Sequence, residues 1–115
     1  MYEIKYYEEK KRFPVLEFIE QLPPKVIAKL LRNIDLLESN GLNLGFPLIS
    51  RITGVNELWE LRTKFGRSNY RIIFFHYRRG LFVLLHAFIK KTSQLPKKEI
   101  QIALNRLNKY KGKFK

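Results

Sequence analysis

The apolar positions of this chain follow two different periods, and the switch between them marks out its elements. Residues 2–7 alternate, with Tyr2, Ile4 and Tyr6 against Glu3, Lys5 and Tyr7, which predicts a half-buried strand. Pro14 opens a short helical piece in which Val15, Phe18 and Ile19 fall at one-turn spacing. Pro23-Pro24 interrupts it, and Pro24 suits the first turn of a longer helix, where its missing N–H has no intrahelical partner to lose. Val26, Ile27, Leu30, Leu31, Ile34 and Leu37 make a wide apolar stripe along that helix, with Lys25, Lys29, Arg32 and Glu38 largely off it. Asn40-Gly41 supplies a left-handed stop, so a helical hairpin is predicted.

After Gly41 the period shortens to two. Residues 42–54 contain Gly45, Pro47 and Gly54 and read as turns around one short strand near residues 48–52. Residues 58–64 alternate, with Trp59 and Leu61 on one face and Leu58, Glu60 and Arg62 on the other. Residues 70–77 and 81–89 are aromatic-rich and apolar on both faces, which places them centrally in a sheet. Arg79-Gly80 forms the tight turn between them and makes the pair antiparallel. Residues 92–95 loop out after Lys90-Lys91. Pro96 then starts a last helix with the stripe Ile100, Ala103, Leu104, Leu107 and Tyr110, and the basic tail 111–115 is expected to fray. With no repeat or linker, residues 1–115 read as one α+β domain: an N-terminal strand, a helical hairpin, a mainly antiparallel twisted sheet and a C-terminal helix.

Composition narrows the options. A chain of 115 residues with 45% hydrophobic residues is long enough for one core. The absence of cysteine excludes disulfides, a thiolate nucleophile and a Cys-based zinc site. No apolar run reaches the roughly 18–20 residues needed to span a bilayer. The opening MYEIKYYEEKKR mixes both charge signs and has no signal-peptide pattern. A cytoplasmic protein with no membrane association is expected.

Charge changes the picture most. The net charge is +13, and it is lopsided: residues 1–60 hold 8 Lys/Arg against 9 Asp/Glu, residues 61–115 hold 15 against Glu99 alone. Such an asymmetry points to a polyanionic partner, nucleic acid ahead of an acidic membrane or protein. Phosphate-binding glycine loops, HExxH and nucleophile elbows are absent. His76 and His86 each sit inside a hydrophobic strand in a region nearly devoid of carboxylates, so neither a metal nor a cofactor is expected. The second half does place cations and tyrosine on neighbouring strands. Cutting RNA requires a base for the 2′-hydroxyl, positive charge for the phosphorane-like transition state, and an acid for the leaving 5′-oxygen. Arginine and lysine can meet the second requirement without metal, and a nearby ring can stack on an unpaired base for about 1–3 kcal/mol.

The segments LWELRTKFGRSNYRIIFF and LLHAFIKKTSQLP, with QLPKKEI and a closing basic helix, resemble the RelE/ParE toxin superfamily, most closely its HigB-like, phage-protein-related branch. The specific part of the resemblance covers residues 58–103. It implies a RelE-like fold and a type II toxin that acts as a metal-independent, ribosome-dependent mRNA endonuclease. Its implied partners are mRNA on the ribosome and a cognate antitoxin, often of helix-turn-helix type. By the same resemblance, Arg71 in YRI matches the sheet arginine that contacts the scissile phosphate, and Arg62 a further basic position. Lys91 stands where RelE proper tends to carry a second catalytic arginine. Glu60 departs from the lysine of RelE proper but agrees with the HigB-like branch. Apart from the resemblance, Lys64, Arg67, Tyr70, His86, Lys90, Lys97 and Lys98 are further candidates for contact with RNA.

Several of these residues also have plain structural readings. Trp59 shares phase with Leu61 and suits the core, as Tyr110 does in the last helix. Glu60 can be an ion-pair partner of Arg62 or Arg71 rather than a base. Tyr70 can stack on a base or pack under the sheet, and His86 can face the cleft with Lys90 or be buried beside Leu84 and Phe88. His76 is a strand residue, Arg78 and Arg79 are solvated at a turn, and Lys97 and Lys98 lie beside the binding face. Arg71, opening a hydrophobic strand, is expected on the open face with RNA as partner. Two other functions share these features: a ParE-like inhibitor of DNA gyrase, and a non-catalytic RNA- or ribosome-binding module.

Overall fold

The computed structural model of the chain describes residues 2–113. After strand β1 (Glu3–Tyr6), Pro14 and Pro24 open helices α1 (Pro14–Glu20) and α2 (Pro24–Asn40). The hairpin ends at Gly41, whose φ of 59° and whose position against the Tyr2 ring leave no room for a side chain: a Cβ there would lie 2.5 Å from the ring. A 3-10 turn (Gly41–Leu44) leads to β2 (Ile49–Arg51), β3 (Trp59–Phe65), β4 (Ser68–Arg78) and β5 (Leu81–Lys90), and α3 (Lys97–Lys113) closes the domain. The last helix therefore continues through Lys111 to Lys113, where fraying was expected, with Ala103, Leu107 and Tyr110 buried along it. Phe114 and Lys115, the rest of that tail, lie outside the described residues, as does Met1.

The strands form one mixed sheet of order β1-β5-β4-β3-β2, antiparallel except for β1 beside β5. Both faces are covered, which explains why β4 and β5 are apolar on both sides. Ile72, Phe74, Phe82 and Leu84 pack under the helical hairpin. Ile73, Phe75, Val83 and Leu85 pack under α3.

The register of β4 with β5 slips between Ile73 and Phe74: Ile73 opposes His86, while Phe74 opposes Leu84. Leu85 is the extra residue of this bulge, and it shifts the side-chain phase of β5. Leu84 consequently faces the hairpin, whereas Leu85 and His86 both lie on the α3 side. Strict alternation puts Leu84 and His86 on one face; the bulge separates them.

Candidate nucleic-acid interface

On the α3 side of the sheet, cross-strand register lines up Glu60, Ile73 and His86, then Arg62, Arg71 and Phe88, then Lys64, Asn69 and Lys90. Apolar packing thus gives way to polar residues toward the end of β5. Glu60 Oε1 lies 3.5 Å from Arg62 Nε and 3.5 Å from Arg71 Nε, so one carboxylate is shared by two guanidiniums. Arg71 is only 5% exposed and Glu60 7%, which corrects the open-face placement of Arg71. Buried between strands, this arginine needs a counter-charge, and Glu60 on the adjacent strand provides it. Burial pulls the Arg71 pKa below the ordinary guanidinium value and Arg62 adds to the shift, while Glu60 opposes it. Satisfaction is nevertheless incomplete: Arg71 Nε and Glu60 Oε2 are buried without a hydrogen-bond partner.

Two clefts flank this cluster. Glu60 and Arg62 line one of them, with Ser50, Gln94 and Leu95, between β2, β3 and the loop before α3. The other lies where β2 stops covering β3: the Arg62 N–H donates to Leu48 O, and the strand edge from Thr63 onward has no β neighbour on that side. Arg62 and Arg71 reach this second cleft together with Lys29, Lys64 and Phe46.

His86 has a different setting. Its Nε2 is 2.6 Å from Glu99 Oε1 on α3, and Arg106 Nη1 approaches its Nδ1 at 3.3 Å while donating to Leu85 O at 2.8 Å. A guanidinium only donates, so Nδ1 accepts and the ring proton sits on Nε2, which donates to Glu99. The single acid of the basic half is therefore committed to fastening α3 to β5. Burial, with Arg106 adding, lowers the His86 pKa against the pull of Glu99. His86 is part-buried beside Phe88, with Leu84 on the opposite face.

The remaining expected contacts divide. Tyr70, 6% exposed, packs in the hairpin-side core, which removes it as an open stacking platform. Lys64, Arg67, Lys91, Lys97 and Lys98 are exposed and Lys90 is half-buried, around the end of the sheet and the first turn of α3. Tyr110 is buried edge-to-face against Phe75 at 5.7 Å. Trp59 packs against the hairpin-side core with the Arg51 guanidinium 4.7 Å from its ring centroid. His76 is exposed, stacks on Phe82 at 4.7 Å and accepts the Gly80 N–H at 3.3 Å. Sequence reasoning missed Phe46, Lys29 and Arg106. Phe46 lies in the turn-rich segment between Gly45 and Pro47, and Lys29 off the apolar stripe of its helix, so neither position signals a site. Among the described residues, no group of three or more His, Asp or Glu side chains is placed to hold a metal ion, and no helix is long and apolar enough to cross a membrane.

Fold and cluster together define a small basic α+β domain that gathers cations from adjacent strands beside two clefts. The chain belongs to the phage-derived Gp49-like protein family (DUF891), whose profile matches residues 17–108, from within α1 almost to the end of α3. That family is one of candidate toxins of the RelE/HigB type and is consistent with a toxin of a toxin–antitoxin system. No curated protein matches the sequence.

Proposed function

We propose that the protein is the toxin of a type II toxin–antitoxin system and cuts mRNA on the ribosome without a metal, in the manner of the RelE/HigB toxins it resembles. The observation that carries this reading is the Glu60–Arg62–Arg71 cluster, two guanidiniums around a single carboxylate beside two solvent-facing clefts. A phosphate can take the place of Glu60 between the two arginines, gaining the fork-like hydrogen bonds that Arg71 Nε lacks. The RNA's own 2′-hydroxyl then gives up its proton to the base and its oxygen attacks phosphorus, the bond to the 5′-oxygen breaks, that oxygen takes a proton from water, and the products are a 2′,3′-cyclic phosphate and a 5′-hydroxyl. In this reading Arg71 and Arg62 stabilise the charge on the phosphorane, exposed Lys91 in the loop beyond β5 is assigned a supporting positive charge, and the freed Glu60 is the base candidate.

Inducing the protein alone should stop growth and translation, and co-expression of a cognate helix-turn-helix antitoxin should restore both. Mapping 5′ ends of cellular RNA shortly after induction should reveal new cuts within translated messages. Undiminished growth of cells containing the folded protein would count against the proposal. One observation favours a second reading, a ribosome- or RNA-binding module without cleavage: in the resting protein Arg71 is already charge-paired and shielded. A translation extract separates the two, since a binding module would stall translation and leave the message whole.

A further inference from the structure

We infer that the cleft at the uncovered edge of β3 is a nucleotide subsite, in which Phe46 stacks on one unpaired RNA base while Lys29, Arg62 and Lys64 hold the adjoining phosphate. This deepens the proposed function and rests on reading Arg62 and Arg71 as the phosphate site. Phe46 is the anomaly that draws attention to the cleft. It is 77% exposed, against 36–39% for the other exposed large apolar side chains. The Arg62 guanidinium lies 5.4 Å from its ring centroid, which restrains the ring while leaving most of it open.

The walls fit a nucleotide better than a peptide. Lys29, Arg62, Lys64 and Arg71 line the cleft and no Asp or Glu does. An exposed flat ring among clustered cations is the arrangement that binds single-stranded nucleic acid, the base on the ring and the backbone on the charges. Arg71 marks where the subsite meets the phosphate site: it lines this cleft, is 5% exposed, and its Nε, 3.5 Å from Glu60 Oε1, makes no hydrogen bond. The floor is rigid, because buried Asn33 donates to buried Thr63 Oγ1 at 2.7 Å and ties α2 to β3. Asn69 lines the same space and offers an amide to a base edge. Arg62 borders both clefts, so a base on Phe46 belongs to a nucleotide next to the phosphate at Arg71.

The test uses the whole protein and a single-stranded RNA of about 12 nucleotides, within the usual span of such sites, with its 2′-hydroxyls methylated so that it cannot be cut. Phe46→Ala should weaken binding by about 5- to 150-fold, the range for losing one base–aromatic stack, and should leave binding of an abasic strand of equal length unchanged. Phe46→Trp should retain affinity, and its emission, after subtraction of the Trp59 signal of the parent, should be quenched by the base-bearing strand only. Equal binding by Phe46→Ala and parent overturns the subsite, as does an equal loss on the abasic strand. So does a Phe46→Ala protein that keeps RNA binding but loses affinity for its antitoxin, which would make the cleft a protein-docking site. A parent that binds the methylated strand through Phe46 yet leaves message whole in a translation extract supports the subsite and overturns the nuclease reading alone.

Discussion

Two ionic centres lie on the same side of the sheet, and they are finished to different degrees. At His86, both ring nitrogens are used: Nε2 donates to Glu99, Nδ1 accepts from Arg106, and Arg106 also caps the Leu85 carbonyl. At Glu60, one carboxylate serves two arginines at 3.5 Å, and both Glu60 Oε2 and Arg71 Nε are buried without a hydrogen bond. A folded protein rarely leaves such groups unpaired, because each costs about 1–3 kcal/mol. The closed centre is a clasp between α3 and β5. The open one leaves two buried polar atoms unsatisfied, and under the proposed function it is where a phosphate binds.

The largest effect that can break this contrast is loss of Arg71. Arg71→Ala should reduce RNA cleavage by about 10²–10³-fold, as removal of one well-placed transition-state donor does. Arg71→Lys should recover only part of it, since the fork is gone. Because Arg71 is buried, its removal also leaves Glu60 with Arg62 alone and should destabilise the fold. Removing both charges together in Glu60→Gln, Arg71→Gln should restore thermal stability without restoring cleavage. Full activity in that double variant would merge the two centres into one structural class.

Salt comes next. The exposed cations around the open centre should make ribosome or RNA binding fall with a log–log slope of roughly −3 to −5, at about −0.7 per neutralised phosphate. A flat response between low and moderate salt would remove the polyanion from the account.

The clasp should answer in stability instead. Glu99→Ala leaves the part-buried His86 N–H without its partner and should cost about 1 kcal/mol or more in denaturant unfolding, with cleavage by the remaining folded protein little changed. Since His86 titrates below its ordinary value when folded, the unfolded chain takes up that proton first. The clasp therefore contributes fully above about pH 6.5 and is lost as the pH falls from there through the folded-state value. His86→Phe should flatten that acid-side decline; an unchanged pH profile would contradict the assignment. The smallest effect belongs to Tyr70→Phe. With the ring in the hairpin-side core, stability should change by about 1 kcal/mol or less, and RNA binding should not change.

Much of this layout was legible because it rests on local chemistry. Pro14, Pro24 and Gly41 punctuate the helical hairpin, and the two-sided apolar character of β4 and β5 marks a sheet covered on both faces. Arg71 could be read as an arginine in need of a partner, and Glu60 as one candidate. That the two are held together out of solvent depends on tertiary packing, which no spacing displays. The bulge at Leu85 carries no residue signature, so strict alternation misplaces Leu84 relative to His86. The turn after β1 was equally hidden: Lys10 and Lys11 occupy left-handed positions at φ 53° and 64°, where glycine or asparagine is the usual signal. Phe46 is exposed against the general tendency of its residue type, which is why a sequence could not show it and a structure can.

The central claim is that the unfinished centre is where RNA phosphate is bound and transferred. It is tested most directly by the chemistry of the ends left in a translation extract by the parent and by folded Glu60→Gln, Arg71→Gln. The account predicts 5′-hydroxyl ends with 2′,3′-cyclic phosphates or their 3′-phosphate products from the parent, and intact message with the double variant. Ends bearing 5′-phosphate, or unchanged cutting by the double variant, would contradict it.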